Sequence, residues 1–137
     1  MSTHVRVLTF LAVAVAALAS ASAVVARSQA TAPMQVTIDI RAAGAVEAAS
    51  PANIAVRAGG RVTVTIRNHT TLFHTFTIRA LGLSAIVRPA SHGTPGVAKL
   101  TFVAPYGVYT WRCLLCSTPA HPHMHAMKGT VYAIVNA

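Results

Sequence analysis

Acidic side chains are almost missing from this 137-residue chain: Asp39 and Glu47 stand alone against eleven Lys and Arg. Hydrolysis through paired carboxylates has hardly any material to work with, and neither acid lies near the reactive side chains in sequence. Helical signals are missing too, since no amphipathic stretch of useful length follows the first thirty or so residues. Cysteine is scarce, two residues in all, yet both fall inside one short segment with three of the seven histidines and two of the four methionines. That segment is what the rest of the chain is expected to hold in place.

The first residues have the form of an export signal. A short basic start with His4 and Arg6 precedes an apolar run, Val7 to Leu18, and the small residues Ala21-Ser22-Ala23 match the A-x-A cleavage pattern. Cleavage after Ala23 divides the chain into a signal peptide over 1–23, a flexible lead-in over 24–33 and one domain over 34–137. The competing reading is an uncleaved anchor, because no charge interrupts the span between Arg6 and Arg27. Export places the domain in the periplasm or outside the cell, where neighbouring cysteines can close a disulfide unless a metal holds them.

The domain is patterned as short strands separated by turns. Val36, Ile38 and Ile40 alternate with polar residues; Ile54 and Val56 lead to the Gly59-Gly60 turn; Val62, Val64 and Ile66 alternate with Thr63, Thr65 and Arg67. His74, Phe76 and Ile78 share a face against Thr75, Thr77 and Arg79. A short strand is expected near Ser84 to Val87, another around Leu100 and Phe102, and a last one from Thr130 to Val135, while 41–51 is Ala/Gly-rich and resists assignment. About seven strands with this spacing predict an all-β fold, a Greek-key antiparallel β-sandwich.

Residues 113–127 hold Cys113, Cys116, His121, His123, Met124, His125 and Met127. Thiolate, imidazole and thioether together select copper. Tyr109, Trp111 and Cys113 alternate at period two, so Cys113 ends a strand facing inward, and the His/Met-bearing remainder forms a loop. His74, about forty residues upstream, is the expected ligand from a neighbouring strand. His69, expected to be exposed in its turn, and His92, in a Pro/Gly loop, are given no role. Other outcomes remain open. A Cys113–Cys116 disulfide would leave a His/Met site suited to binding and passing Cu(I), and zinc could be held by both cysteines and two histidines. A scaffolding sandwich without metal is the remaining reading.

Two motifs resemble the cupredoxin family. Asn68 followed by His74-Thr-Phe-Thr-Ile78, after Val56-Arg-Ala-Gly-Gly-Arg-Val-Thr-Val64, is similar to its first ligand region. Gly107-x-Tyr109-x-Trp111-x-Cys113, the His/Met loop and Met127-x-Gly129-Thr-Val131 are similar to its second, so the resemblance spans about Met34 to Val135. It implies a Greek-key sandwich that binds copper through two histidines, a cysteine and a methionine for one-electron transfer, without being an enzyme by itself. His74 and His121 would be the imidazole ligands, Cys113 or Cys116 the thiolate, and Met127 or Met124 the weak axial ligand, with Phe73, Phe76, Tyr109 and Trp111 packed around them. Strand register favours Cys113, whereas Cys116-Ser-Thr-Pro119-Ala-His121 resembles the Cys-x2-Pro-x-His loop of mononuclear sites. Cys113, His121 and Met124 also match the spacing of the binuclear copper domain of oxidase subunit II, with Cys116 one residue short, so one copper ion is expected and two are an alternative.

The ten Lys and Arg left after cleavage, against two acids, give +8. That charge points either to docking on an acidic redox partner protein or an anionic envelope surface, weakened by salt, or to a basic surface that serves solubility alone. The arginines are scattered and form no stripe that would track phosphates, so no nucleic acid partner is expected. A monomer is expected.

Overall fold

The computed structural model describes residues 32–44, 46–116, 127–135 and 137. The expected signal peptide and most of the lead-in lie outside the described residues. Within them the chain forms β1 (Met34–Ala43), β2 (Val46–Ser50), β3 (Ile54–Arg57), β4 (Arg61–Asn68), β5 (His74–Ile78), β6 (Leu83–Val87), β7 (Gly96–Val103), β8 (Gly107–Arg112) and β9 (Lys128–Ile134). A 3-10 turn, Arg79–Leu81, closed by Gly82 at φ 64°, is the only helical element among the described residues. None of these residues forms a helix long and apolar enough to cross a membrane.

The strands make two facing sheets, ordered β2-β1-β4-β7 and β3-β9-β8-β5-β6. The sandwich is the expected one, and its sheets are mixed: β1 runs parallel to β4, and β3 parallel to β9, while the other pairs are antiparallel. The bend at 51–53 explains this, because it carries the chain from one sheet to the other between β2 and β3. These two strands form one return path, so β4 comes back beside β1 in the original direction.

Period-two patterning is realised most plainly in β4. Val62, Val64 and Ile66 are buried while Arg61 and Arg67 are exposed, and the inward series continues to a fully buried Asn68. The core gathers Ile38 and Ile40 from β1, Ile54 and Val56 from β3, Phe76 and Ile78 from β5, and Trp111 from β8. Each such side chain contributes about 1.5–3 kcal/mol by leaving water. Trp111 stacks on Phe76 with ring centroids 4.9 Å apart, and its indole N–H donates to the Ala52 carbonyl at 2.8 Å. Gly129 lies directly over that bond. A Cβ there would overlap both the Ala52 oxygen and the indole nitrogen, so only glycine allows β9 to pass.

The Ala/Gly-rich stretch 41–51 resolves into a hairpin. β1 continues to Ala43, Gly44 turns at φ 65°, and β2 returns with Glu47 opposite Ala42. As the edge strand of its sheet, β2 has little side-chain bulk, and Glu47 is its one long polar side chain.

Candidate metal centre

His74 opens β5, a strand buried at all five positions, and its side chain is fully enclosed. β5 lies between β6 and β8, which fixes its first residue beside the end of β8. There the inward alternation of Tyr109 and Trp111 continues to a buried Cys113, as the spacing predicts. The ligand atoms of His74, Cys113 and Cys116 all lie within 4.8 Å of one another. His74 Nδ1 is 3.2 Å from Cys116 Sγ and 3.8 Å from Cys113 Sγ, and the two sulfurs are joined in a disulfide.

The backbone pins this arrangement from three sides. The Thr75 N–H donates to Cys113 Sγ at 3.4 Å, and the Leu114 N–H donates to Thr75 Oγ1 at 2.6 Å. The Cys113 N–H donates to the Met127 carbonyl at 2.8 Å, which ties the end of β8 to the start of β9 and brings buried Met127 next to the site. His121 and Met124 lie outside the described residues.

Hydrogen bonds settle which ring nitrogen of His74 carries the proton. Asn68 Nδ2 donates to the carbonyls of Leu72 and Arg88 at 2.7 and 2.9 Å, so its Oδ1 is the acceptor for the Thr70 N–H and hydroxyl, both at 2.9 Å. With its own hydrogen committed to Asn68, the Thr70 oxygen accepts, and His74 Nε2, 2.9 Å away, must be the donor. In the neutral ring Nδ1 then carries the lone pair. Burial pushes the His74 pKa below its ordinary value, opposed in part by the charge of Glu47, so the neutral ring is the form present near pH 7. That lone pair faces two disulfide sulfurs that have no hydrogen to give. A buried acceptor in that position forgoes about 1–3 kcal/mol, and an electrophile such as a metal ion would restore it. A nitrogen acceptor with two adjoining sulfurs fits a soft metal ion, copper above all.

Glu47 is the residue that sequence reasoning missed. Its Oε2 reaches across from the other sheet to 3.1 Å from His74 Nε2. The ring N–H is aimed at Thr70, so this oxygen, although buried, is off the N–H axis and accepts no hydrogen bond. Its scarcity in the chain was the available signal; its distance from the cluster in sequence hid it. For Asn68 the signal was stronger, a polar residue at an inward position of a period-two strand.

Two further expectations are corrected. His69 is half-buried and not exposed, because its Nε2–H donates to Asp39 Oδ1 at 2.7 Å while its backbone N–H bonds the Ile40 carbonyl. Phe73 does not pack around the site; it is 54% exposed at the turn before β5. Tyr109 is half-buried, with its hydroxyl donating to the Pro105 carbonyl, and His92 sits in an exposed turn as expected.

No known family model matches this chain, and no curated protein does. Solved structures do. Reduced auracyanin from the photosynthetic bacterium Roseiflexus castenholzii matches at TM-score 0.51 and 21% identity, over 73% of this chain and 96% of that one. Rusticyanin matches at TM-score 0.52 and 17% identity, over 72% and 77%. A copper-containing nitrite reductase from Thermus scotoductus SA-01 matches at TM-score 0.54 and 19% identity, over 75% of this chain and 28% of that one. At such identities the likeness is one of architecture, and what it establishes is that this chain has the cupredoxin fold.

Proposed function

We propose that this is an exported copper-binding protein that passes single electrons and is not itself an enzyme. The observation that carries the reading is the fully buried imidazole of His74, whose unprotonated Nδ1 faces Cys113 and Cys116. The resemblance of both ligand regions to cupredoxins supports it, as do neighbours whose names record copper. His74 would supply nitrogen, and His121 a second imidazole. Met127, or Met124, would be the weak axial donor. Cys113 is favoured as the thiolate because the Thr75 N–H points at its sulfur and would stabilise negative charge there. Bound copper would supply the one-electron couple. The sandwich would keep His74 and the two sulfurs nearly fixed through the valence change and keep water from them.

Thiolate ligation requires the disulfide to open. Two electrons and two protons from a dithiol reductant convert it to two thiols, and ligation then releases a thiol proton. The test is to reduce the protein, add one equivalent of Cu(II) and record visible absorption and electron paramagnetic resonance. An intense sulfur-to-copper band that disappears in Cys113→Ser is the expected result; hyperfine structure from one copper nucleus or from two fixes the nuclearity. Absence of stoichiometric binding after reduction overturns the reading.

The closed Cys113–Cys116 disulfide favours a second reading, a His/Met module that binds and transfers Cu(I). Zero free thiols in freshly isolated protein, with tight Cu(I) binding, would establish it instead. Docking of the basic surface on an acidic redox partner or an anionic envelope surface belongs to either reading, and a steep loss of association rate with salt would support it.

A further inference from the structure

We propose that Glu47 is a positioning residue and countercharge for the metal-binding imidazole of His74. This rests on the copper reading above. The chain has two carboxylates and eleven Lys and Arg, yet among the described residues the ion-pair contact of Glu47 is with His74, not with any Lys or Arg. Its Oε2 is buried, lies 3.1 Å from His74 Nε2 and accepts no hydrogen bond. A carboxylate oxygen buried without a hydrogen bond beside a neutral ring is a poor arrangement. It becomes a favourable one when a cation on Nδ1 draws charge out of the ring and makes its Nε2–H more acidic. Glu47 reaches the ring from β2, in the opposite sheet, while Thr70 reaches it from the β4–β5 turn. The ring is therefore held between both halves of the sandwich with Nδ1 turned to the sulfurs.

The sign of the effect follows. A fixed negative charge behind the ring stabilises the higher-valent ion more than the lower, so Glu47 lowers the reduction potential. Glu47→Gln keeps the shape and removes the charge. The ratio of Cu(II) to Cu(I) affinity is expected to fall about tenfold, within the range known for groups that support a ligand, which raises the midpoint potential by about 59 mV. The metal-free Glu47→Gln protein should melt no lower than the parent, whereas a merely structural role predicts a clear loss. Glu47→Asp keeps the charge and should stay nearer the parent potential. An unchanged potential in Glu47→Gln, or equal shifts in both variants, overturns the proposal. If the reduced parent takes up no copper, the copper reading fails, and the pairing is judged by nitrogen-15 NMR of His74 in the metal-free protein. Glu47→Gln must then move the Nε2–H resonance, and no movement overturns the pairing as well.

Discussion

His69 and His74 lie five residues apart, and each is set against one of the chain's two carboxylates, yet the pairs do opposite things. Asp39 accepts a direct hydrogen bond from His69 at 2.7 Å, with Arg41 at 3.8 Å adding a weaker attraction, and the pair is partly open to solvent. Glu47 is held beside His74 with its oxygen buried and unsatisfied, while the ring N–H goes to a threonine. The first pair is complete as it stands and fastens the β4–β5 turn to β1. The second, on the proposal above, is completed by a cation on the far side of the ring. A histidine beside a carboxylate is thus a structural contact in one case and, on the proposal above, part of a binding site in the other, and the distinction lies in what each acceptor lacks.

The largest expected effect separates the two histidines outright. His74→Gln should weaken copper binding by more than about a hundredfold in calorimetric titration, while His69→Gln should leave it within a fewfold of the parent. Equal losses would erase the contrast. Next is Asn68→Ala, which removes the hub on which the His74 network depends and orphans the Thr70 N–H and the carbonyls of Leu72 and Arg88. Urea denaturation should show a loss of about 2–4 kcal/mol with little change in slope.

Acid titration sharpens the contrast further. In chelator-treated protein the folded pKa of His74 lies below its ordinary 6.5, so the unfolded chain takes up that proton first. Stability should decline as pH falls below about 6.5, level off once the folded ring protonates, and lose this component in His74→Gln. For Asp39 the hydrogen bond from His69 holds the folded pKa below the ordinary 3.8, with burial opposing it. Its contribution is complete above that value and should vanish only as pH drops through the folded pKa, a step missing from Asp39→Asn. Smallest is Asp39→Asn near neutrality, where solvent screening keeps the expected cost below about 1 kcal/mol.

Much of this architecture was legible because burial at period two leaves a direct trace in the sequence. β4, β5 and β8 announce their inward faces, and that register already put His74 and Cys113 on the core side. The 41–51 segment was silent because alanine and glycine carry no alternation, and its hairpin depends on Gly44 and on pairing with β1. Glu47 was hidden for a different reason. Its meeting with His74 is a contact between sheets, and strand patterning says which face a residue takes without saying what stands opposite. The disulfide remained one of several outcomes, because two cysteines three apart fit a bridge or a metal equally well by spacing. His69 misled because a turn residue is ordinarily solvated, and the carboxylate that half-buries it comes from β1.

β5 is covered along its whole length, and the imidazole at its head is covered with it. If a metal ion binds that ring, as proposed, it has to pass packed side chains to reach it, whereas an electron can cross the same atoms without displacing them. Enclosure of this kind separates two clocks: cargo would enter and leave slowly, and charge would come and go with the packing undisturbed.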